Sequence, residues 1–575
     1  MTALAAAPPA VVFLVAAAVV RLAPRRSGHA VAALAAAAVV PWLVSVPAGA
    51  HLAGRLYGFE VVPFGVDGVS RLVGLVFAFV AAANVVYAYG SGTTRGQTAT
   101  AVAYMGASLG AVFAGDWLTL VVWWELMALS ATILVWQSKS ATRQAYRYAV
   151  YHQLGSVLLV AGVLTHFAAT GTFLYADGIA AGLPRLLAAA GVALNVGVLG
   201  VHVWLVDTYP TPHVATSVVL CGFTTKVGVY ALHRVVPEGS LVVAYLGAAM
   251  LVVGVTLAVL QTKLRRLLTY HIVSQVGYMV AGVGVASALA VDGAFAHLVN
   301  NVLYKTLLFM VAGVLVLRTG EESLKRLGGL WRTMPTTAGA FVVAALAITG
   351  TPGFAGFVSK GLVVDSADAA GLEVLWWLLV AGGVGTVLSF AKFGYYAFLR
   401  APSSDDDGSG GEASASGERP RDANRAQTLA LALLAVPCVA FGVAPELLLS
   451  LLPGNAPGAK VFALSQFEKA GATLLFGLVA FAALRGPLGR ISHVPDLDAV
   501  YHPAGAALRD RSATAVRNAA RTFDRAAVGV VERCRRVALA PHAFAAVGVR
   551  ESTLGRTVLL VALTAAVAVA TLVLA

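Results

Sequence analysis

The long apolar segments of this chain restrict its fold more than any other feature of the sequence. Hydrophobic residues make up 59% of the 575 residues and charged residues only 12%. Runs of this length match helices that cross a bilayer and exclude the short alternating strands of a membrane barrel. The sequence therefore predicts an all-α polytopic membrane protein with about 14–16 transmembrane helices. The candidate segments lie near residues 3–20, 29–47, 69–89, 99–114, 117–137, 147–170, 183–208, 212–236, 241–260, 268–288, 292–317, 336–366, 374–398, 427–452, 470–486 and 556–575.

The net charge of +13 is interpreted by its position along the chain. Lys and Arg cluster near residues 21–26, 139–147, 263–266 and 325–332, in each case after an odd-numbered segment. Because such clusters gather in cytoplasmic loops, both termini are predicted to be external, in a multi-pass protein of the cell membrane. We therefore expect membrane lipid, and no nucleic acid, as a partner. The three cysteines show no CxxC spacing, so neither a metal site nor a disulfide framework is expected.

Two of the apolar segments are predicted to be discontinuous helices. The seventh contains Gly197 and Gly200 and runs into Pro210, and the twelfth contains GTPGFAGF at residues 350–357. Interrupted backbone is tolerated in a membrane only where it is buried in protein or lines a cavity. The two segments are five apart, and an odd spacing inverts the second repeat relative to the first. The pattern is typical of transporters with two inverted five-helix repeats, here residues 99–236 and 241–398.

The remaining regions flank these repeats. Residues 1–98 and 427–486 are predicted to form the N-terminal and C-terminal core helices. The acidic, Ser/Gly-rich stretch 399–426 is predicted to be a disordered cytoplasmic loop. Within residues 487–555, an apolar stripe with arginines beside it predicts a cytoplasmic basic amphipathic helix, and residues 556–575 are predicted to form the last transmembrane helix.

Four ionisable residues lie near the centres of apolar segments: Glu125, Lys226, Lys305 and Lys360. A single spanning helix is predicted over residues 212–236, and Lys226 then lies near the bilayer midplane. A charged lysine there costs about 3 kcal/mol or more, so it is expected to face a wet or paired interior. Burial disfavours the charged form of both glutamate and lysine, which allows each to exchange a proton with water or with a neighbour.

These residues lie in motifs that resemble one protein family. The stretches are TTKVGVY at 224–230, YHIVSQVGYM at 270–279, YKTLLFMVAG at 304–313, TPGFAGFVSK at 351–360 and GDWLTLVVWWELM at 115–127. They resemble the antiporter-like family, which includes the proton-pumping membrane subunits of respiratory complex I and the large subunits of Mrp-type sodium/proton antiporters. The first two stretches look closer to the Mrp D-type subunit. The resemblance implies a fourteen-helix core, no bound redox centre, and function inside a multisubunit complex.

Two positions depart from the pattern of this family. Its seventh-helix lysine, the usual partner of the glutamate, falls on Asn195 when it is placed by the motif around Trp204. Its histidine pair before the Lys305 motif is represented here by Asn300 and Asn301. Asparagine forms hydrogen bonds but does not carry a proton at physiological pH. The resemblance therefore implies a proton relay with fewer proton-carrying side chains than is usual in the family.

The resemblance leads to a functional hypothesis with two alternatives. The chain is interpreted as a D-type subunit that exchanges Na⁺ for H⁺ as a transporter subunit without cofactors, together with other subunits. The expected proton path comprises Glu125, Lys226, Lys305 and Lys360, with His271 and Gln275 as its cytoplasmic-side relay. One alternative is a proton-pumping subunit of a complex I-like NADH:quinone oxidoreductase or membrane-bound hydrogenase, which would make it part of a translocase. The other is a non-transporting structural paralogue. The sequence does not identify the cation or its binding site.

Overall fold

The structure, a computed structural model, describes residues 7–175, 178–401 and 420–490. A β-hairpin of strands β1 (Gly49–Leu56) and β2 (Phe59–Val66) interrupts an otherwise helical chain. The helices of the described residues are α1 (Pro9–Leu22), α2 (Arg25–Ser45), α3 (Gly68–Gly90), α4 (Arg95–Phe113), α5 (Trp117–Trp136), α6 (Thr142–Thr170), α7 (Leu183–Val196), α8 (Val203–Thr208), α9 (Val214–Gly222), α10 (Thr224–Val235), α11 (Leu241–Leu260), α12 (Leu264–Val285), α13 (Ala288–Thr319), α14 (Pro335–Thr349), α15 (Ala355–Ala369), α16 (Glu373–Gly394), α17 (Arg425–Val443), α18 (Glu446–Leu449) and α19 (Leu464–Arg490).

Every predicted apolar segment within the described residues coincides with one helix or with two consecutive helices. Ten helical stretches in this part of the chain are long and apolar enough to span a membrane. The helical, multi-pass fold class is confirmed. The predicted amphipathic helix in 487–555 and the last segment, 556–575, lie outside the described residues beyond 490. The division into two repeats with the boundaries given above stays a prediction.

The seventh and twelfth segments are discontinuous, as the sequence predicts. Between α7 and α8 the helix is interrupted, and Gly197 has a φ of 75°. Between α14 and α15 the interruption begins at Gly350, with a φ of 80°. Glycine adopts these left-handed conformations without a Cβ clash, which explains why the helices end there.

The eighth segment differs from the single helix predicted over residues 212–236. It consists of α9 and α10, which are separated at Phe223, with φ −117° and ψ −69°. The amide of Thr224 donates to the Tyr104 hydroxyl at 2.9 Å. The periodicity of apolar residues did not reveal this interruption, because it involves neither proline nor a left-handed glycine. The hydrogen bond that the Thr224 amide donates to Tyr104, a residue distant in the sequence, stabilises it instead.

The hairpin was not predicted from the sequence. Its turn is Tyr57–Gly58, whose φ values of 50° and 88° are those of the two-residue turns preferred in hairpins. Asp116 joins the hairpin to the start of α5, because its carboxylate accepts from the amide of Val62 at 2.7 Å and from the amide of Thr119 at 2.8 Å. Its strands are only eight residues long and lie between two long apolar segments, so they have no strong signal of their own.

Helices α6 and α7 pack with their backbones in close approach. A Cβ built on Gly191 would lie 2.5 Å from the carbonyl oxygen of Gly155 and 2.5 Å from the amide of Leu159. Small residues permit such contacts between membrane helices. This packing places Asn195, one turn further along α7, directly against α6.

The predicted disordered loop 399–426 is ordered at its C-terminal end, and residues 402–419 lie outside the described part. Asp422 accepts hydrogen bonds from the amide of Thr336 at 2.7 Å and from the hydroxyl of Thr337 at 2.6 Å. Burial favours a raised pKa for Asp422, but the hydrogen bonds from Thr337, Ala423 and Thr336 outweigh it and lower the pKa. Asp422 therefore stays ionised and caps the start of α14.

Candidate functional site

Three lysines with buried side chains lie on separate helices of the described core. Lys226 and Lys305 are 0% exposed and Lys360 is 7% exposed. Among the described residues none of the three pairs with a carboxylate, and the ammonium of each donates to a backbone carbonyl. A buried ammonium without a counter-ion is costly, which indicates a role other than salt-bridge stabilisation.

Lys226 lies just after the interruption between α9 and α10. Its ammonium donates to the carbonyl oxygen of Cys221 at 2.8 Å. The Cys221 thiol in turn lies 4.0 Å from the hydroxyl of Thr306, the residue next to Lys305 on α13. The helix interruption therefore supplies an oxygen for Lys226 and directs the lysine towards the helix that carries Lys305.

Lys305 and Lys360 each contact a carbonyl and an aromatic ring. Lys305 donates to the carbonyl of Leu268 at 2.9 Å and lies 5.9 Å from the ring centre of Phe390. Lys360 donates to the carbonyl of Ile348 at 2.6 Å, close to the interruption that ends α14. The ring of Tyr278 lies 5.3 Å from its ammonium. Lys360 on α15 therefore lies beside a helix interruption, as Lys226 on α10 does.

A chain of hydrogen bonds joins α12, α13 and α15 between these lysines. The Tyr304 hydroxyl lies 3.4 Å from the amide oxygen of Gln275 and 3.3 Å from Nε2 of His297. Nδ1 of His297 lies 3.1 Å from the hydroxyl of Ser359, the neighbour of Lys360. Hydroxyl and imidazole groups both donate and accept, so this chain has the chemistry required to pass a proton.

His271 and the asparagine pair contribute differently. His271 is 0% exposed, its ring centre lies 4.8 Å from that of Phe390, and neither of its nitrogens is hydrogen-bonded to another described residue. Asn301 donates to the Tyr304 hydroxyl at 3.2 Å, whereas Asn300 donates to the carbonyl of Ala355 at 2.7 Å. Asn301 therefore belongs to the hydrogen-bonded chain, and Asn300 anchors the start of α15.

Glu125 lies apart from the lysines. Glu125 is half-buried on α5, and its side chain makes a polar contact with Ser156 of α6. Within the described residues no ion pair joins Glu125 to a lysine. The proton path through Glu125 and the three lysines stays a prediction, and in the described residues the polar neighbour of Glu125 is Ser156.

A cavity of about 60 Å³ lies beside Lys360. Helix α19 forms one wall of this cavity, with Gln466, Lys469 and Thr473. Asp365, on α15, accepts from the side chains of Gln466 and Lys469 and so joins α15 to α19 at this point. A volume of this size holds a few water molecules, so water can reach the neighbourhood of Lys360.

Sequence reasoning missed several members of the site. His297 is not among the residues predicted from the sequence, yet it lies at the centre of the hydrogen-bonded chain. Its position two turns before Lys305, on the same face of α13, was the available signal.

A fourth buried lysine of the described core, Lys392, has a different role. It donates to the carbonyls of Val259 and Gln261 at 2.7 Å each. These carbonyls lie at the C-terminal end of α11, so Lys392 caps a helix.

Comparisons with known proteins agree with this architecture. A model of the family described as "NADH:quinone oxidoreductase/Mrp antiporter, TM" matches residues 114–389. The N-type subunit of the NADH-quinone oxidoreductase of Desulforudis audaxviator is 31% identical over 372 residues, which cover 60% of this chain and 74% of that protein. The chain belongs to this family.

Other members of the NADH:quinone oxidoreductase/Mrp antiporter family are also similar to the chain. The D-type subunit of the Na⁺/H⁺ antiporter of Alkalihalophilus pseudofirmus is 32% identical over 310 residues, which cover 50% of this chain and 63% of that protein. The chain thus spans less than two thirds of this relative. A chain in the structure of the Mrp complex from Dietzia sp. DQ12-45-1b superposes with a TM-score of 0.70 at 25% identity. The aligned region covers 82% of this chain and 100% of the Dietzia chain.

Proposed function

We propose that this chain is the D-type subunit of a multisubunit monovalent cation/proton antiporter in the cell membrane, and that it provides the path for protons. Buried lysines on three helices, each bound to a carbonyl and none to a carboxylate among the described residues, are the observation that carries the proposal. Such lysines can lose and regain a proton without breaking an ion pair. Other subunits of the complex are its partners, and Na⁺ and H⁺ are the transported ions.

The proton path runs through Lys226, Lys305 and Lys360. Thr306 and Cys221 lie between the first two lysines. The chain through Gln275, Tyr304, His297 and Ser359 links the middle of α12 with the neighbourhood of Lys360. His271 lies nearer the cytoplasmic end of α12 than Gln275 in the predicted orientation, which suits a relay on that side.

The outward end of the path is the cavity beside Lys360. In the orientation predicted from the basic loops, the C-terminal end of α15 faces the external side. Asp365 lies five residues closer to that end than Lys360, in contact with Lys469. A proton released by Lys360 therefore enters water in the cavity and leaves past Asp365.

A redox-coupled complex is the second candidate. The 31% identity to a subunit of an NADH-quinone oxidoreductase favours it. In that case the chain is part of a translocase, driven by a redox reaction in other subunits.

Purification of the intact complex from its native membrane tests the proposal. We expect antiporter subunits without iron–sulfur proteins among the copurifying chains, identified by mass spectrometry. We also expect Na⁺ addition to inverted vesicles to produce a pH change that a mutant lacking the chain does not show. Copurification of iron–sulfur proteins together with Na⁺-independent proton movement would support the redox-coupled candidate instead.

A further inference from the structure

Two buried polar side chains on neighbouring helices, His152 of α6 and Asn195 of α7, face each other. His152 is 1% exposed and Asn195 is 0% exposed, and the two side chains are in contact. The contact does not have the geometry of a formed hydrogen bond, and no described residue bonds to either imidazole nitrogen or to either amide atom of Asn195. Leaving a buried polar group unpaired destabilises the folded protein. The two imidazole nitrogens and the two amide atoms form a cluster of four such atoms, which indicates a role other than stabilising the fold.

Aromatic rings hold the His152 imidazole in place. The ring of Tyr148, one turn earlier on α6, stacks on it with 3.9 Å between the centres. The ring of Trp204 on α8 meets it edge-on at 4.5 Å. These rings cover the face and one side of the imidazole, and its contact with Asn195 is polar.

On one side this cluster approaches Glu125. Ser156, one turn after His152, contacts Glu125 of α5, and its hydroxyl is buried without a hydrogen-bond partner among the described residues. A Cβ built on Gly155, beside Ser156, would lie 3.6 Å from the amide oxygen of Asn195. Three helices therefore bring Glu125, His152 and Asn195 into one small region.

On the other side the cluster approaches the helix that carries Lys226. A Cβ built on Gly228 of α10 would lie 3.2 Å from the carbonyl carbon of Asn195. The Tyr148 hydroxyl lies 3.1 Å from the hydroxyl of Thr224, two residues before Lys226. Asn195 thus lies between His152 and α10.

We propose that His152 carries the proton between Glu125 and Lys226, at the place where Asn195 replaces the lysine of the family; this inference rests on the proposed function. A neutral imidazole has one nitrogen that donates and one that accepts. The ring takes up a proton from Glu125 at its accepting nitrogen, becomes a cation, and releases the proton of its other nitrogen to neutral Lys226. Asn195 provides a polar contact beside the ring and carries no proton.

Substitutions at these two residues, first singly and then together, test the proposal in the intact complex. We expect His152→Asn to lower Na⁺-dependent proton exchange by about 100-fold, the lower end of the contribution of a positioned acid–base group. Adding Asn195→Lys to that variant restores the family arrangement in a similar volume and is expected to recover most of the exchange. Near-normal exchange by assembled His152→Asn would overturn the proposal, as would failure of the assembled double variant.

A second histidine on the same helix provides the control. His166 is 3% exposed, and its Nδ1 accepts from the amide of Ala180 at 2.9 Å. This bond fixes the loop before α7 and lies outside the path, so His166→Asn is expected to retain exchange in whatever complex assembles. If His166→Asn abolished exchange as fully as His152→Asn does, the effect would be structural and the proposal would be wrong.

A measurement on the unmodified complex does not depend on transport or on folding of variants. The imidazole C2 hydrogen exchanges with solvent deuterium at a rate that follows titration of the ring, and mass spectrometry resolves it for each histidine. We expect His152 to show a sigmoidal pH dependence in the pH range in which the complex is active. No deuterium uptake at His152 across that range would refute a proton-carrying role. Absence of Na⁺-driven exchange in the unmodified complex would instead refute the proposed function.

Discussion

At the scale of single residues, the chemistry depends on where each buried lysine finds an oxygen. The ammonium groups of Lys226, Lys305 and Lys360 all donate to backbone carbonyls. A carbonyl binds the ammonium but, unlike a carboxylate, adds no full negative charge that would retain the proton. The lysines are therefore held in position and remain free to release a proton.

The Tyr304 hydroxyl gives a prediction at this scale. Tyr304→Phe removes only the oxygen that links Gln275 with His297. We expect exchange to fall by about tenfold or more, because a proton-transfer step loses its link. Tyr87→Phe is the matched control, since the Tyr87 hydroxyl donates to the carbonyl of Met310 away from the path. Both variants lose a buried hydrogen bond, so equal loss of exchange in the two would refute a specific role for Tyr304.

The sequence predicted the lysines, but it did not predict their surroundings. Lys226, Lys305 and Lys360 were recognised because a charge within an apolar segment is conspicuous. His152 and His297 were not predicted, because a lone histidine in an apolar segment has no such signal. Their roles depend on which helices meet, and the pattern along a single helix does not contain that information.

At the scale of helices, interruptions position the site. Two of the three interruptions carry glycines of positive φ and were predicted. The third, at Phe223, depends on the bond from Thr224 to Tyr104. Tertiary contacts of this kind override local preference, and for this reason the eighth segment was predicted as one continuous helix.

Helix α19 gives the prediction at this scale, since it closes the cavity beside Lys360. The ion pair between Lys469 and Asp365 joins α19 to α15, and both side chains are more than a quarter exposed. Such a pair contributes about 0.2–1 kcal/mol, so Lys469→Ala is expected to open the cavity more often.

Labelling of a cysteine in the cavity wall measures that opening. Thr473→Cys, in a variant whose three native cysteines are replaced by serine, is expected to react about two- to fivefold faster with an external impermeant thiol reagent after Lys469→Ala. The substitution Lys460→Ala, of an exposed lysine in the loop before α19, serves as the control. Unchanged labelling after Lys469→Ala would show that α19 does not close the cavity.

At the scale of the whole molecule, the alternation of basic loops predicted the orientation. The structure places the Tyr57–Gly58 turn and the loop at Ser140 beyond the ends of the helices, and both Tyr57 and Ser140 are exposed. The hairpin precedes α3, an odd-numbered segment, and is therefore predicted to be external. Ser140 follows the fifth segment and is predicted to be cytoplasmic.

Single cysteines at these two positions test the orientation. In a background without native cysteines, Tyr57→Cys is expected to react with an impermeant reagent in right-side-out vesicles. Ser140→Cys is expected to react only after the vesicles are opened. The opposite result would invert the topology and reverse the predicted direction of the proton path.

The central claim is that protons pass through the buried lysines, and Lys226→Arg tests it most directly. Arginine keeps the charge and still donates to the carbonyl of Cys221, but it does not deprotonate in proteins. The measurement is the Na⁺-dependent pH change in inverted vesicles, with the amount of assembled complex determined by blot. We predict that Lys226→Arg and Lys226→Ala both assemble and that neither exchanges protons. Near-normal exchange by Lys226→Arg would contradict the claim, because Lys226 would then act only as a fixed positive charge.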